Sequence, residues 1–250
     1  MNDVSASTIP DPLFVRRERR RRILRVALAV SLTAAATFLA YFRRPIFEGN
    51  RGVVDEGLVY RAAQPSGDVA GLIRSERLAS IVNLRGGGPD DPWYTAEVEA
   101  TRTLDVDFFD LPMSATKRPT RRELLTLLDV FARCKYPLLI HCKSGADRTG
   151  LASGLYLMAR RGVDPVRAES AFSLTHAHIP LFGPERLHEP FHEYAAWLAK
   201  NRLDHTPDRL LDWVRNEYRA DDPLVAIDPV RPGPRVRRQA SRAAEPATRR

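Results

Sequence analysis

The segment His141-Cys142-Lys143-Ser144-Gly145-Ala146-Asp147-Arg148-Thr149-Gly150 sets a cysteine and an arginine at the two ends of one short loop. A thiolate can attack phosphorus, and a planar guanidinium can grip two non-bridging phosphate oxygens with bidentate hydrogen bonds. Cys142 is therefore the candidate nucleophile and Arg148 the candidate clamp. The backbone amides of Lys143, Ser144, Gly145, Ala146, Asp147 and Arg148 would line the substrate pocket and stabilise the equatorial oxygens from fixed positions. Chemistry of this kind calls for no metal and no other cofactor. The neighbours agree with that reading: Pro137–Ile140 reads as a buried strand delivering Cys142, and Leu151–Arg160 as a helix whose N-terminus favours anions, with Gly145 and Gly150 at the bends. A single cysteine before a helix is usually a small buried hydrophobe. What outweighs that reading is the cysteine, the arginine, both glycines and the preceding strand falling in register.

The pattern His-Cys-x5-Arg-Thr-Gly resembles that of cysteine-dependent protein tyrosine and dual-specificity phosphatases. The resemblance runs from Val53 to Arg219 and is nearest to compact bacterial members, which similarly carry a Tyr-Arg-x-x-Gln-Pro segment (Tyr60, Arg61, Gln64, Pro65) and an Asn-Leu-Arg strand end (Asn83, Leu84, Arg85). It implies that His141 orients the loop and tunes the thiol. It also implies that Thr149 offers its hydroxyl to Cys142 and assists the hydrolytic step.

A leaving oxygen needs a carboxylic acid within hydrogen-bond reach. Dual-specificity enzymes keep that Asp on a loop about thirty residues before the cysteine, but here the corresponding stretch, Pro112 to Arg118, holds no acid. Two candidates stand: Asp147, inside the phosphate loop, as proposed for myotubularins and some secreted bacterial tyrosine phosphatases, and Asp110, in the strand-like run Val106–Leu111. Reach favours Asp147.

Strand and helix patterns alternate around this site, which predicts an α/β fold with three layers, a mainly parallel central sheet flanked by helices. Leu58–Ala62 and Ala79–Leu84 read as strands with a helix from Gly67 to Arg77 between them. Pro92–Leu104 reads as helix, Val106–Leu111 as extended, and Thr120–Arg133 as a helix opened by a Thr120/Glu123 capping box, with Leu124, Leu127, Leu128 and Phe131 on one face. Helical patterns follow at Pro165–Leu174, Glu185–Lys200 and Pro207–Arg219.

The ends differ from this body. Residues 1–22 form a basic leader, and Val26–Phe42 carries no charge, so that residues 23–42 read as a transmembrane anchor. Seven arginines lie between Arg16 and Arg25 against Arg43 and Arg44 beyond the segment. That bias puts the N-terminus in the cytoplasm and the catalytic domain, residues 53–220, outside. Ala and Arg richness points to a bacterial chain, hence a single-pass inner-membrane protein with a periplasmic catalytic domain; a cleaved signal peptide is the alternative. Residues 221–250, rich in Pro, Arg and Ala, read as a disordered basic tail. Residues 1–25 carry a net +4 and residues 221–250 a net +3, leaving about +1 of the chain's +8 for the body. The basic balance thus reports topology and tail, and no nucleic-acid partner is expected.

Other motifs are set aside. His188-Glu189-Pro190-Phe191-His192 matches a zinc-protease pattern, but Pro190 disrupts the continuous helix that pattern needs, which leaves surface histidines at a helix start. His176 and His178 read as structural or as near the pocket mouth rather than as ligands. Gly86-Gly87-Gly88 lacks the Lys-Ser/Thr ending of a nucleotide loop and reads as a turn bordering the site, with Arg85 at its start. The two cysteines, Cys134 and Cys142, give no disulfide framework, although an inactivating bridge between them is conceivable chemistry in an oxidising compartment.

These readings converge on a membrane-anchored phosphatase acting on phosphotyrosine, and on phosphoserine or phosphothreonine as further substrates, through a phosphocysteine. Two alternatives stay open: a phosphatase of phosphoinositide or phosphatidylglycerophosphate lipids, with Lys143 meeting headgroups, and a phosphate-binding pseudophosphatase scaffold. The partners expected are a phosphorylated protein or lipid substrate and, through the N-terminal helix, the membrane.

Overall fold

Every position of Leu138–His141 is buried, because this strand lies at the centre of a sheet covered on both faces. The computed structural model describes residues 12–219, so the basic tail expected over 221–250 lies outside the described residues. The chain divides into two compact units, Met1–Arg43 and Arg44–Arg250.

In the first unit, α1 (Pro12–Tyr41) is one continuous helix. Its stretch Arg19–Tyr41 is long and apolar enough to cross a membrane, with mean hydropathy 1.9 and none of it buried.

The second unit begins at Arg44, inside the short helix α2 (Arg43–Phe47), and therefore takes in residues ahead of the expected start at Val53. Its sheet has the order β1-β2-β5-β3-β4, formed by β1 (Gly52–Asp55), β2 (Val59–Ala62), β3 (Ser80–Asn83), β4 (Asp107–Asp110) and β5 (Leu138–His141). Only β1 runs antiparallel to its neighbour; the four others are parallel, as expected. Alternate side chains serve opposite layers. Val82, Leu138 and Ile140 pack with α5 (Arg121–Arg133), α6 (Asp147–Arg161), α8 (Glu189–Asn201) and α9 (Pro207–Asn216). Ile81 and Leu139 face α3 (Val69–Ser75) and α4 (Pro92–Thr103).

The capping box forms as read: the Thr120 hydroxyl accepts from the Glu123 amide at 3.2 Å, and the Glu123 carboxylate accepts from the Thr120 amide at 2.7 Å. Leu124, Leu127, Leu128 and Phe131 are buried beneath it.

Two local expectations need correction. The catalytic helix starts at Asp147, not Leu151, so Gly150 is a helical residue rather than a bend. A side chain there would meet the Phe172 ring at 2.7 Å, which is the physical reason for the glycine. The helix expected over Pro165–Leu174 breaks into α7 (Pro165–Ala168) and two 3-10 turns, Glu169–Ala171 and Leu174–His176. Phe172 and Ser173 between them are extended, the first with its ring against Gly150 and the second accepting from the Thr175 amide at 3.1 Å. A third 3-10 turn, Pro184–His188, precedes α8, and Pro190 sits in that helix's first turn, where a missing N–H costs nothing.

Candidate active site

The loop from Cys142 to Ala146 leaves the C-terminal end of β5 and runs directly into α6. Cys142 is 1 % exposed, and the Gly145 amide donates to its Sγ at 3.3 Å, so the loop closes around the sulfur. Gly145 has φ +72° and its α-carbon lies against the backbone of Ala62 and Ala63, with no room for a side chain.

Four consecutive loop carbonyls are taken by donors from elsewhere in the chain. The Gln64 amide donates to Lys143 O at 3.2 Å, and Asn50 Nδ2 donates to Ser144 O at 2.8 Å. Arg61 Nη2 donates to Gly145 O at 2.9 Å and to Ala146 O at 3.3 Å, while its Nη1 reaches Ala171 O at 2.6 Å. Arg61 is thus a buried cation under the loop. Burial pulls it down to about 10, against the opposing pull of the Cys142 sulfur. With these carbonyls taken by donors, the Gly145 amide is left to face the sulfur.

His141, fully buried, lies 2.8 Å from the Glu97 carboxylate, which accepts from Gln64 Nε2 at 3.0 Å. The Tyr60–Pro65 segment therefore supplies three braces, through Arg61 and through both the backbone and side chain of Gln64. Asn50 and Glu97 went unread in the sequence, since neither carries a local pattern. Each was findable only as a buried polar residue in a contact distant along the chain.

Arg148 Nη1 donates to Leu84 O at 3.1 Å and Met113 O at 3.2 Å, tethering it to the chain ends after β3 and β4. Its Nε is buried with no hydrogen-bond partner among the described residues. Thr149 is buried and its Oγ1 makes no hydrogen bond among the described residues, so the expected contact with Cys142 is not formed. Lys143 and Ser144 are exposed on the loop, and Ala146 is buried. Asp147 Oδ1 lies 2.8 Å from His178 Nδ1. Asp110 ends β4 and accepts from the Tyr94 hydroxyl at 2.9 Å. Cys134 and Cys142 are both free and buried, and burial pushes the Cys134 thiol up.

The histidines depart from expectation. Pro190 does open α8, yet His188 and His192 meet all the same, on Glu169 rather than Glu189. One ligand atom from each of Glu169, His188 and His192 lies within 4.8 Å of the others. Those atoms are hydrogen-bonded to one another and to His178, forming a chain rather than an open chelate. His176 is the buried partner of Asn50, with its Nδ1 2.8 Å from Asn50 Oδ1.

Replacing Arg61 by Met would remove its bonds to Ala171 O and Gly145 O, each charge-assisted hydrogen bond contributing about 1.5–3 kcal/mol, while Ala146 O would keep the Gly150 amide at 2.9 Å. We expect orthovanadate to bind this variant at least about tenfold more weakly, a change of about 1.4 kcal/mol. Unchanged affinity would show that the loop holds its shape without the brace. A second expectation concerns acid. Burial first, then Arg61 and Arg44, pull His176 down to about 4 from 6.5, so the unfolded chain binds more protons between those values. Stability is therefore full above pH 6.5 and lost as pH falls toward 4, by at most about 1.4 kcal/mol per pH unit from this group. Urea midpoints measured at pH 7 and pH 5 should fall less for His176→Gln than for the unaltered chain.

Comparison with known proteins places these residues in a family. A family model described as a DSP-PTPase phosphatase fused to NAD+ kinase matches residues 39–178, more than half of the chain. The chain is 32% identical over 113 residues to inositol diphosphatase DSP1 of Oryza sativa subsp. japonica, a match that covers 42% of this chain and 47% of that protein. Among solved structures it is similar to TpbA of P. aeruginosa in complex with pTyr, at 20% identity and TM-score 0.45, covering 66% of this chain and 96% of that one. It is also similar to the core catalytic domain of the PP-IP phosphatase SIW14 of S. cerevisiae, at 18% identity and TM-score 0.46, covering 61% and 93%. The chain spans about half the length of the curated relative it matches, and it belongs to the dual-specificity and protein tyrosine phosphatase family.

Proposed function

We propose that the chain is a membrane-anchored phosphatase of phosphotyrosine esters in which Cys142 is the nucleophile, Arg148 the oxyanion clamp and Asp147 the proton donor. The observation that carries this reading is the Gly145 amide on the Cys142 sulfur, inside a loop whose carbonyls at Lys143, Ser144, Gly145 and Ala146 each have a donor from another part of the chain. In the first step the thiolate attacks phosphorus, the P–O bond breaks, and Asp147 gives its proton to the departing oxygen. In the second, water attacks the phosphocysteine, Asp147 takes a proton from it, and phosphate leaves with the thiolate restored. The amides of Lys143 to Arg148 stabilise the equatorial oxygens, and the Nε of Arg148, without a partner among the described residues, is left to donate to them as well. His141, 2.8 Å from the Glu97 carboxylate, orients the strand end that carries the sulfur.

Asp147 is preferred to Asp110 on position. Asp110 pairs in register with Asn83, and Asn83 with His141, so it stands two strands from the loop, about 10 Å away at the usual interstrand spacing. An aryl ester is favoured by the ring pair Trp93 and Tyr94, at 5.8 Å, with the Arg85 guanidinium 3.6 Å over Trp93. Arg85 follows β3, the strand beside β5, and Trp93 and Tyr94 open α4. A second reading, an inositol phosphate or phosphoinositide substrate, is favoured by the inositol diphosphatase relative and by exposed Lys143 beside the nucleophile. The apolar stretch of α1 supports anchoring, and the arginines ahead of it support a cytoplasmic N-terminus with the catalytic domain on the far side of a bacterial inner membrane. On this reading residues 53–220, with Asn50 ahead of them, carry the catalysis.

Cys142→Ser should abolish turnover while retaining a bound phosphotyrosyl peptide, and retained turnover would sink the assignment. Asp147→Asn should slow hydrolysis of aryl phosphates with poor leaving groups by about a hundredfold or more and spare those with good ones. The same pattern in Asp110→Asn instead would move the acid there. Turnover of phosphotyrosyl peptides against inositol polyphosphates and phosphoinositide vesicles decides the substrate.

A further inference from the structure

Behind Asp147 lies an uninterrupted series of titratable side chains that the phosphatase reaction as set out above does not use. His178, 3 % exposed, has Nδ1 on Asp147 Oδ1 and its Nε2 2.8 Å from Nε2 of His188. His188 in turn places Nδ1 on Oε1 of Glu169, and the same oxygen meets Nε2 of His192 at 2.7 Å. The Phe172 ring walls the series, stacked on His188 at 4.0 Å and tilted against His178 at 4.8 Å. Gly150 of the catalytic helix makes room for that ring. Only His192 at the far end is largely in solvent, its side chain 65% exposed. The groups facing one another come from four elements: Asp147 from α6, Glu169 and His188 from two separate 3-10 turns, and His192 from α8, with His178 following the turn Leu174–His176.

The directions of these hydrogen bonds are coupled. An ionised carboxylate only accepts, so Glu169 draws an N–H from His188 Nδ1 and another from His192. Burial lowers the proton affinity of His188, which keeps the ring neutral and leaves its Nε2 bare. His178 must then donate from Nε2, and its Nδ1 faces Asp147. A bare nitrogen facing a bare carboxylate at 2.8 Å would be two acceptors in contact, which is unfavourable. One proton therefore belongs between them, as carboxylic acid with imidazole or as carboxylate with imidazolium.

We propose that His178 is a positioning residue for the acid step: held in one tautomer by His188 and Glu169, it keeps a single proton shared with Asp147 and aims the carboxyl. Transfer of that proton to the leaving oxygen breaks the P–O bond and leaves two facing acceptors. That strain drives Asp147 to recover a proton from the attacking water in the second step, so the proton count closes over the cycle. The inference rests on Asp147 being the acid.

The test uses the full chain in detergent, with aryl phosphates of graded leaving-group pKa. His178→Gln, with Glu169→Gln as a second variant on the solvent side, is compared with Asp147→Asn. We expect His178→Gln to cut kcat by about tenfold to a hundredfold for poor leaving groups and by less than about threefold for good ones, with orthovanadate affinity unchanged. The alkaline limb of its pH–rate profile should move down by about one unit or more, and Glu169→Gln should move it the same way by less. An equal loss across all substrates with an unmoved limb would make His178 a structural residue and overturn the proposal. A leaving-group effect in Asp147→Asn with none in either other variant would overturn it while sparing the acid. A flat response in Asp147→Asn would remove the acid assignment and the proposal together. Should His178→Gln fail to fold, an unmoved limb in Glu169→Gln overturns the proposal by itself.

Discussion

A phosphate-binding loop works only if consecutive amides turn toward one point, and consecutive amides do so only when the carbonyls between them are held the other way. Here that outward pull comes from one amide N–H, one carboxamide and one buried guanidinium on Lys143 O, Ser144 O, Gly145 O and Ala146 O. A buried carbonyl without a donor costs about 1–3 kcal/mol, so these bonds fix the loop far more firmly than its own φ/ψ preferences would. The positive φ at Gly145 is the local geometric cost of the same curvature.

The braces arrive from separated stretches of chain. Asn50 precedes β1, Arg61 lies in β2, Gln64 follows it, and Glu97 is on α4. Parallel strands gather them, because β2 and β3 flank β5 and all three present their C-terminal ends at one edge of the sheet. Asn50 also binds the His176 carbonyl at 2.9 Å, tying the loop to the turn that leads to His178. The compact unit accordingly includes residues 44–52, for without Asn50 both the loop and that turn lose a fixed point.

What could be read from the sequence follows from this division. Cys142 and Arg148 stand close in the chain between a strand and a helix, so spacing alone revealed them, as it did the capping box at Thr120 and the apolar face of α5. Arg61 and Gln64 stood out only through resemblance to a family, because a brace has no period. Asn50 and Glu97 act across 30 or more residues of chain and left no local trace, and His178, which acts across 31, reads from sequence only as structural or near the pocket mouth. The misplaced start of α6 has the same origin: Gly150 reads as a bend until the Phe172 ring, 22 positions later in the chain, is seen to occupy its missing side chain. The broken helix after Pro165 is the other side of that contact, since Phe172 leaves helical geometry where its ring is drawn onto α6.

The absence of an acid between Pro112 and Arg118 has a structural counterpart. Met113 O holds Arg148, and Arg118 is committed to the Tyr218 hydroxyl at 3.2 Å, to Glu193 at 2.7 Å and to Glu189 at 3.4 Å. A segment pinned at both ends to the clamp and to α8 is a fixture, poorly suited to swing a carboxyl onto a leaving group. Moving the donor to the first turn of α6 solves reach but raises a second demand, because a helix N-terminus favours negative charge while a proton donor must begin the reaction neutral. A buried imidazole at 2.8 Å, its tautomer set by a carboxylate two hydrogen bonds further on, is a physical means of keeping one proton at such a position. The acid-free loop and the histidine series are then two parts of one arrangement: fixing the first removes the usual donor, and the second lets a donor work from inside the phosphate loop.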